Sequence, residues 1–105
     1  MTTRIFDLIY APLTKRHLKS IEPKYYPLIR EAIEAQLRAE PDVETRNRKP
    51  LKRPLMGATW EIRFGPGNRF RVLYKVNFDE RQVYILAIGE KVGEHLRIGS
   101  EEIRL

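Results

Sequence analysis

The chain has 105 residues, 42% of them hydrophobic and 32% charged, with a net charge of +6. That is apolar material for one modest core, so residues 1–105 read as a single domain. The absence of cysteine excludes disulfides, a thiol nucleophile and thiolate-held metals. Two histidines among scattered carboxylates make no ligand set, so neither a metal nor a cofactor is expected. No apolar run is long enough to span a bilayer, and the first residues lack the apolar stretch of a secretory signal. The expectation is a cytoplasmic protein with no membrane partner. The basic excess points to a polyanion, either nucleic acid or an acidic protein segment, against the plainer alternative of a solvated surface.

Residues 4–10 alternate, Phe6, Leu8 and Tyr10 against Ile5, Asp7 and Ile9, which predicts a strand. Ala11-Pro12-Leu13 breaks it, and Thr14 reads as the N-cap of a short helix carrying Leu18 and Ile21. His17 beside them reads as a packing or surface residue. Pro23 suits the first turn of a second helix over residues 24–38. There Tyr26, Ile29, Ile33 and Leu37 form one apolar stripe that needs a sheet to cover it. Residues 46–54 follow with Arg46, Arg48, Lys49, Lys52 and Arg53 and no acid. Pro50 and Pro54 predict an extended loop, pinned to the core by Leu51 and Leu55. Such an ordered basic segment suits nucleic-acid phosphates, adding affinity rather than sequence choice.

Three strands come next, over residues 59–64, 70–77 and 82–89. Trp60, Ile62 and Phe64 alternate with Glu61 and Arg63; Phe70, Val72 and Tyr74 alternate with Arg71 and Leu73. Val83-Tyr84-Ile85-Leu86-Ala87-Ile88 is apolar on both sides, as in a strand covered on both faces. Gly65-Pro66-Gly67-Asn68 and Asp79-Glu80-Arg81 are the turns of an antiparallel meander. The fold class is therefore α+β: an N-terminal strand, two helices, and a three-strand meander packed on them. Residues 100–105 alternate, and are left open between an added strand and a tail.

This order of elements resembles the RelE/ParE superfamily of small toxins from type II toxin–antitoxin systems, over nearly the whole chain. The likeness is carried by Glu44-Thr45-Arg46-Asn47-Arg48-Lys49-Pro50-Leu51, Leu55-Met56-Gly57-Ala58-Thr59-Trp60-Glu61-Ile62-Arg63, Asn68-Arg69-Phe70-Arg71-Val72-Leu73-Tyr74-Lys75-Val76 and Val83-Tyr84-Ile85-Leu86-Ala87-Ile88-Gly89. It implies a metal-independent endoribonuclease that cleaves messenger RNA at the ribosome. It also implies a cognate antitoxin, with a toxin–antitoxin heterotetramer as one assembly. Two other readings stay open: a gyrase-directed toxin without nuclease chemistry, and a non-toxic RNA- or protein-binding module of the same fold. In the family's pattern of basic site residues, Arg71, Arg63 and Lys91 match, whereas Glu61 stands at a basic position. The C-terminal segment Glu94-His95-Leu96-Arg97 has no tyrosine where nuclease relatives often carry one.

RNA can be cut without a metal when the ribose 2′-hydroxyl attacks the adjacent phosphate. A base takes its proton, an acid protonates the leaving oxygen, and cations hold the pentavalent phosphorane. Arg63 and Arg71, on neighbouring strands and away from the Trp60 and Tyr74 sets, are expected to converge on one phosphate through their planar forks. Lys91 is expected to join them from the end of the last strand. His95 is the expected proton-transfer group.

Overall fold

The computed structural model describes residues 5–104. In chain order they form β1 (Asp7–Tyr10), α1 (Thr14–Lys19), a 3₁₀ turn (Pro23–Tyr25), α2 (Tyr26–Leu37), β2 (Arg48–Leu55) and β3 (Ala58–Phe64). A second 3₁₀ turn (Pro66–Asn68) leads to β4 (Phe70–Asn77), β5 (Gln82–Val92), β6 (His95–Ile98) and β7 (Glu101–Arg104). The strands join in one sheet of order β2-β3-β4-β5-β6-β7. β1 lies outside that path and pairs with β5 in parallel, so the sheet is mixed rather than purely antiparallel.

Alternation decides which side chains face the helices. Ile62, Phe64, Phe70, Val72, Tyr74, Val83, Ile85 and Ile88 turn to one side and bury against Phe6, Ile21, Ile29, Ile33 and Leu37. The apolar stripe of α2 thus finds the meander, as its spacing predicts. The helix pair is uneven, however. α1 has only 6 residues, and it sits against the edge of β5 as much as on its face. That edge is taken by β1 at residues 82–85 and by β6 at residues 90–92. Between them the Ile88 N–H donates to His17 Nδ1 at 3.3 Å. A histidine from the helix fills the gap in the ladder.

Thr14 does not cap α1. Leu13 holds the cap position, and the Thr14 hydroxyl donates to the Ala11 carbonyl at 2.7 Å. The hydroxyl is spent closing the turn behind it, so it accepts nothing from the helix ahead. The second helix begins as the Pro23–Tyr25 turn and becomes α-helical at Tyr26, with the Tyr26 hydroxyl donating to Leu18 O at 2.6 Å and tying it to α1. Arg4 and Leu105, at the ends of two expected strands, lie outside the described residues.

The expected basic loop is a strand. β2 pairs antiparallel with β3 in register Lys49↔Glu61 and Pro50↔Trp60, then loses register before Leu55↔Ala58. Prolines cannot donate to a ladder, which favours the loop reading, but β2 is the edge of the sheet and its outer side needs no donors. Leu51 and Leu55 do pin it, packing with Leu86 and Ile103 against Ala58, Leu73, Ala87, Leu96 and Ile98. This second cluster lies on the face away from the helices. It explains why β5 is apolar on both sides. The sheet curls around it: Met56, in the β2–β3 turn, lines the same cavity as Ile98, Gly99 and Ser100 at the β6–β7 turn.

Gly89 sets how closely β6 can approach. A Cβ there would lie 2.9 Å from Leu96 Cδ1 and 3.0 Å from the Arg97 carbonyl oxygen. The leucine can turn, but the backbone cannot. Gly89→Ala is expected to cost about 1–3 kcal/mol, as overpacking of a well-filled site does, read as a lower urea midpoint. An unshifted midpoint would show that β6 is free to move outward.

Candidate active site

Direct register places the charged side chains. Arg63 pairs with Arg71, which pairs with Gly89; Glu61 pairs with Leu73 and with Lys49; Lys91 pairs with Leu96. Partners across an antiparallel ladder share a face. Lys49, Glu61, Arg63, Arg71 and Lys91 therefore stand on the face away from the helices, beside the second apolar cluster. Strand alternation alone brings them there, which is the reason Arg63 and Arg71 could be placed from the sequence.

Glu61 is the centre of the group. Its Oε1 accepts from Arg63 Nε at 2.8 Å, and its Oε2 lies 3.7 Å from Arg71 Nη1. Arg71 is buried, with Nε directed at the Asn68 carbonyl at 3.4 Å. Burial holds the Arg71 pKa below the usual arginine range, and the nearby Arg63 charge pushes the same way while Glu61 opposes both. Arginine remains charged across any working pH, so a compressed positive charge is kept ready behind a carboxylate. Arg63 and Lys91 are the more open members. Sequence reasoning passed over Glu61, which the resemblance marked only as a departure. Its signal was present: glutamate and arginine two apart on one strand face can reach each other.

His95 does not join them. β5 and β6 are joined by the two-residue turn Gly93-Glu94, with Gly93 at φ +61°, and His95 pairs with Val92. Val92 and Lys91 point to opposite faces, so His95 shares the face of Val92 and opens away from Arg71. Lys91 lies inside β5 rather than after it, because that strand continues past residue 89 to Val92.

The basic segment divides. Lys49 reaches the site face; Arg46, Lys52 and Arg53 are exposed along the edge. Arg48 is withdrawn from any nucleic-acid surface. It lies opposite Ile62 on the helix face, where its guanidinium donates to Gln36 O at 2.9 Å and Val43 O at 3.0 Å. The Gln36 carbonyl belongs to the last turn of α2, which has no partner within the helix, and a cation there also complements the helix dipole. Arg48 is a cap for α2.

A second ion cluster forms on the opposite face from Lys91. Glu90 is buried at 3% exposure between Arg69, which hydrogen-bonds it closely, and Arg97 at 2.9 Å. Arg69 also donates to the Tyr25 hydroxyl at 3.1 Å, and Arg97 to Ser20 O at 3.4 Å. The cluster fastens α1 and the first 3₁₀ turn to β4, β5 and β6.

His17 belongs to the frame, and it titrates. Burial lowers its pKa below the ordinary 6.5, with Glu101 pulling weakly the other way. The neutral ring is the form that accepts from Ile88 N–H. Because the folded value is depressed, the folded state binds fewer protons than the unfolded chain below pH about 6.5. The stabilisation is present above that pH and is lost as pH falls through the folded value. About 1 kcal/mol, the worth of one hydrogen bond, is expected to disappear from the urea-unfolding free energy. His17→Gln is expected to flatten that slope, and an unchanged slope would assign the acid loss to other groups.

The sequence matches the family described as "Phage derived protein Gp49-like (DUF891)" over residues 16–105. No curated protein matches it. Among solved structures it is similar to the toxin–antitoxin complex RelBE2 from Mycobacterium tuberculosis, with a TM-score of 0.69 at 24% identity, over 86% of this chain and 95% of that one. At that identity the likeness establishes the shared architecture of helices and curled sheet. The chain belongs to the Gp49-like phage-derived family and shares the fold of a chain of that complex.

Proposed function

We propose that this protein is the toxin of a toxin–antitoxin pair and acts as an endoribonuclease on messenger RNA at the ribosome. The observation that carries this reading is the placement of Glu61 between Arg63 and Arg71 on an outer sheet face, with Lys49 and Lys91 beside them. The fold of the mycobacterial toxin–antitoxin complex supports the first half of the proposal. The chemistry of the side chains supports the second.

In this reading the RNA phosphate lies between the two guanidiniums, which match its oxygens in pairs. The Glu61 carboxylate, held by Arg63, takes the proton of the 2′-hydroxyl. O2′ then forms its bond to phosphorus while the bond from phosphorus to O5′ breaks, and Lys91 supplies the proton that the leaving O5′ needs. The products are a 2′,3′-cyclic phosphate and a 5′-hydroxyl end. Arg63 and Arg71 stabilise the extra negative charge of the phosphorane. Arginine charge thus does the work that a metal ion does in other nucleases. His95 has no part in the step. Lys49, Lys52, Arg53 and Arg46 extend positive charge along the β2 edge and suit the sugar–phosphate backbone on either side of the cut. An antitoxin would have to screen the same charge, so an acidic segment that folds on binding is the expected partner.

Inducible expression with mapping of messenger-RNA 5′ ends tests the reading. New ends within reading frames, carrying 5′-hydroxyl groups, are expected. Intact messages with DNA damage would replace the nuclease by a gyrase-directed toxin. Normal growth with neither would leave a binding module.

A further inference from the structure

Before any RNA arrives, the two guanidiniums already have an anion. Glu61 offers them two oxygens that share one negative charge, which is also what a phosphodiester offers. The two contacts are unequal. The Arg63 contact is a true hydrogen bond at 2.8 Å, whereas the Arg71 contact at 3.7 Å is beyond hydrogen-bond length. Apart from Glu61, the only partner Arg71 has among the described residues is the Asn68 carbonyl, neutral and distant at 3.4 Å. Arg71 is therefore the less satisfied of the two cations, and it is nearly buried.

We propose that Glu61 occupies the phosphate site in the free protein and acts as a built-in competitor that the substrate must displace from Arg71. The proposal rests on the nuclease reading and adds a regulation of the same site. Displacement is one-sided: Glu61 stays on Arg63 Nε and yields the Arg71 end to the incoming phosphate. Two consequences follow from charge alone. With Glu61 in place the trio carries one net positive charge instead of two, so a single phosphate, such as that of a mononucleotide, gains little by entering. A strand that also engages Lys49 and Lys91 brings additional attraction and can open the site. The competitor thus selects extended RNA over free nucleotides. It also leaves the carboxylate beside the ribose only after the phosphate has arrived, which is when a base is needed.

The test separates binding from cleavage. The ligand is a fluorescent 2′-O-methyl RNA hexamer, which has no free 2′-hydroxyl and cannot be cut. Its affinity is measured by anisotropy at fixed salt for the natural chain, Glu61→Gln, Arg71→Ala and the double variant. Glutamine keeps the shape and still accepts from Arg63 but gives up the charge. Glu61→Gln is expected to bind about tenfold more tightly or better, the scale of removing one unit charge from about 4 Å away at a protein surface. That gain is expected to vanish when Arg71→Ala is added. Glu61→Ala is expected to move affinity in the same direction, so the question survives if one variant fails to fold. Equal or weaker binding by folded Glu61 variants overturns the competitor, while loss of cleavage in the same variants would leave the nuclease reading intact. Tighter binding by Glu61→Gln, with no cleavage of ordinary RNA by the natural chain, would keep the competitor and overturn the nuclease.

Discussion

If the chain cleaves RNA as proposed, Arg71→Ala is expected to slow that cleavage by about 10²–10³, the usual effect of removing one fixed donor from a developing oxyanion. Arg71 is the deepest cation of the site, paired in register with Arg63 and buried on the sheet face away from the helices. Its guanidinium cannot swing into solvent, so its position is fixed before the substrate arrives and costs nothing to organise during the reaction. Lysine is not an expected rescue. An ammonium restores one charge but not the planar pair of donors that meets two phosphate oxygens. The fold is expected to survive the change. The same burial and Arg63 repulsion that depress the Arg71 pKa mean that its charge is held in the folded protein at a cost. Single-turnover cleavage, read beside the thermal unfolding midpoint, separates the two effects. A folded Arg71→Ala protein that cleaves at the natural rate would remove Arg71 from the site.

Glu90→Gln is expected to produce the largest loss of stability, about 3 kcal/mol. Removing one partner from a buried ion cluster typically costs about 3–5 kcal/mol because the remaining charge stays desolvated. Here both arginines keep 38% of their side-chain surface in water, so the lower end of that range applies. A loss of this size is a large share of the roughly 5–15 kcal/mol that holds a small domain together. Glu94→Gln serves as the control. Its pair with Arg104 spans 3.9 Å between side chains that are 82% and 79% exposed, and such surface pairs contribute about 0–1 kcal/mol. Urea unfolding with an unchanged m-value measures both. If the two variants shifted the midpoint equally, Glu90 would not be the fastening point between α1 and the far end of the sheet.

Wherever a residue's face followed from period alone, the sequence carried the answer. The alternation around Trp60, Ile62, Phe70 and Val72 predicts both strands and their inner faces, and the same count puts Arg63 and Arg71 outside. The α2 stripe and the two-sided apolar character of β5 were legible for the same reason. What failed depended on context that period does not encode. Pro50 and Pro54 argue against a strand unless its outer side is unpaired, and only the assembled sheet makes β2 an edge. Arg48 looks like its neighbours Arg46 and Lys49 until register sets it opposite Ile62 and under the end of α2. His95 follows the two-residue turn Gly93-Glu94, and that turn, rather than alternation, decides which face receives the next side chain. The partner of Glu61 is local, Arg63 two residues away on the same face, and the family pattern of basic positions does not contain that pairing.

The parallel pairing of β1 with β5 bears on how the chain is made. Synthesis delivers the N-terminus first, so β1, α1 and α2 emerge while β5 has yet to be assembled. During that interval Ile29, Ile33 and Leu37 have no sheet to cover them, and Asp7–Tyr10 has no neighbour to pair with. Contacts between segments so distant in sequence form late, because the intervening chain must be ordered first. Neither the core nor the group of Glu61, Arg63, Arg71 and Lys91 can assemble until β5 has cleared the ribosome. The nascent chain thus carries its charge before its architecture, and these four side chains come to one face only after Val92 has emerged.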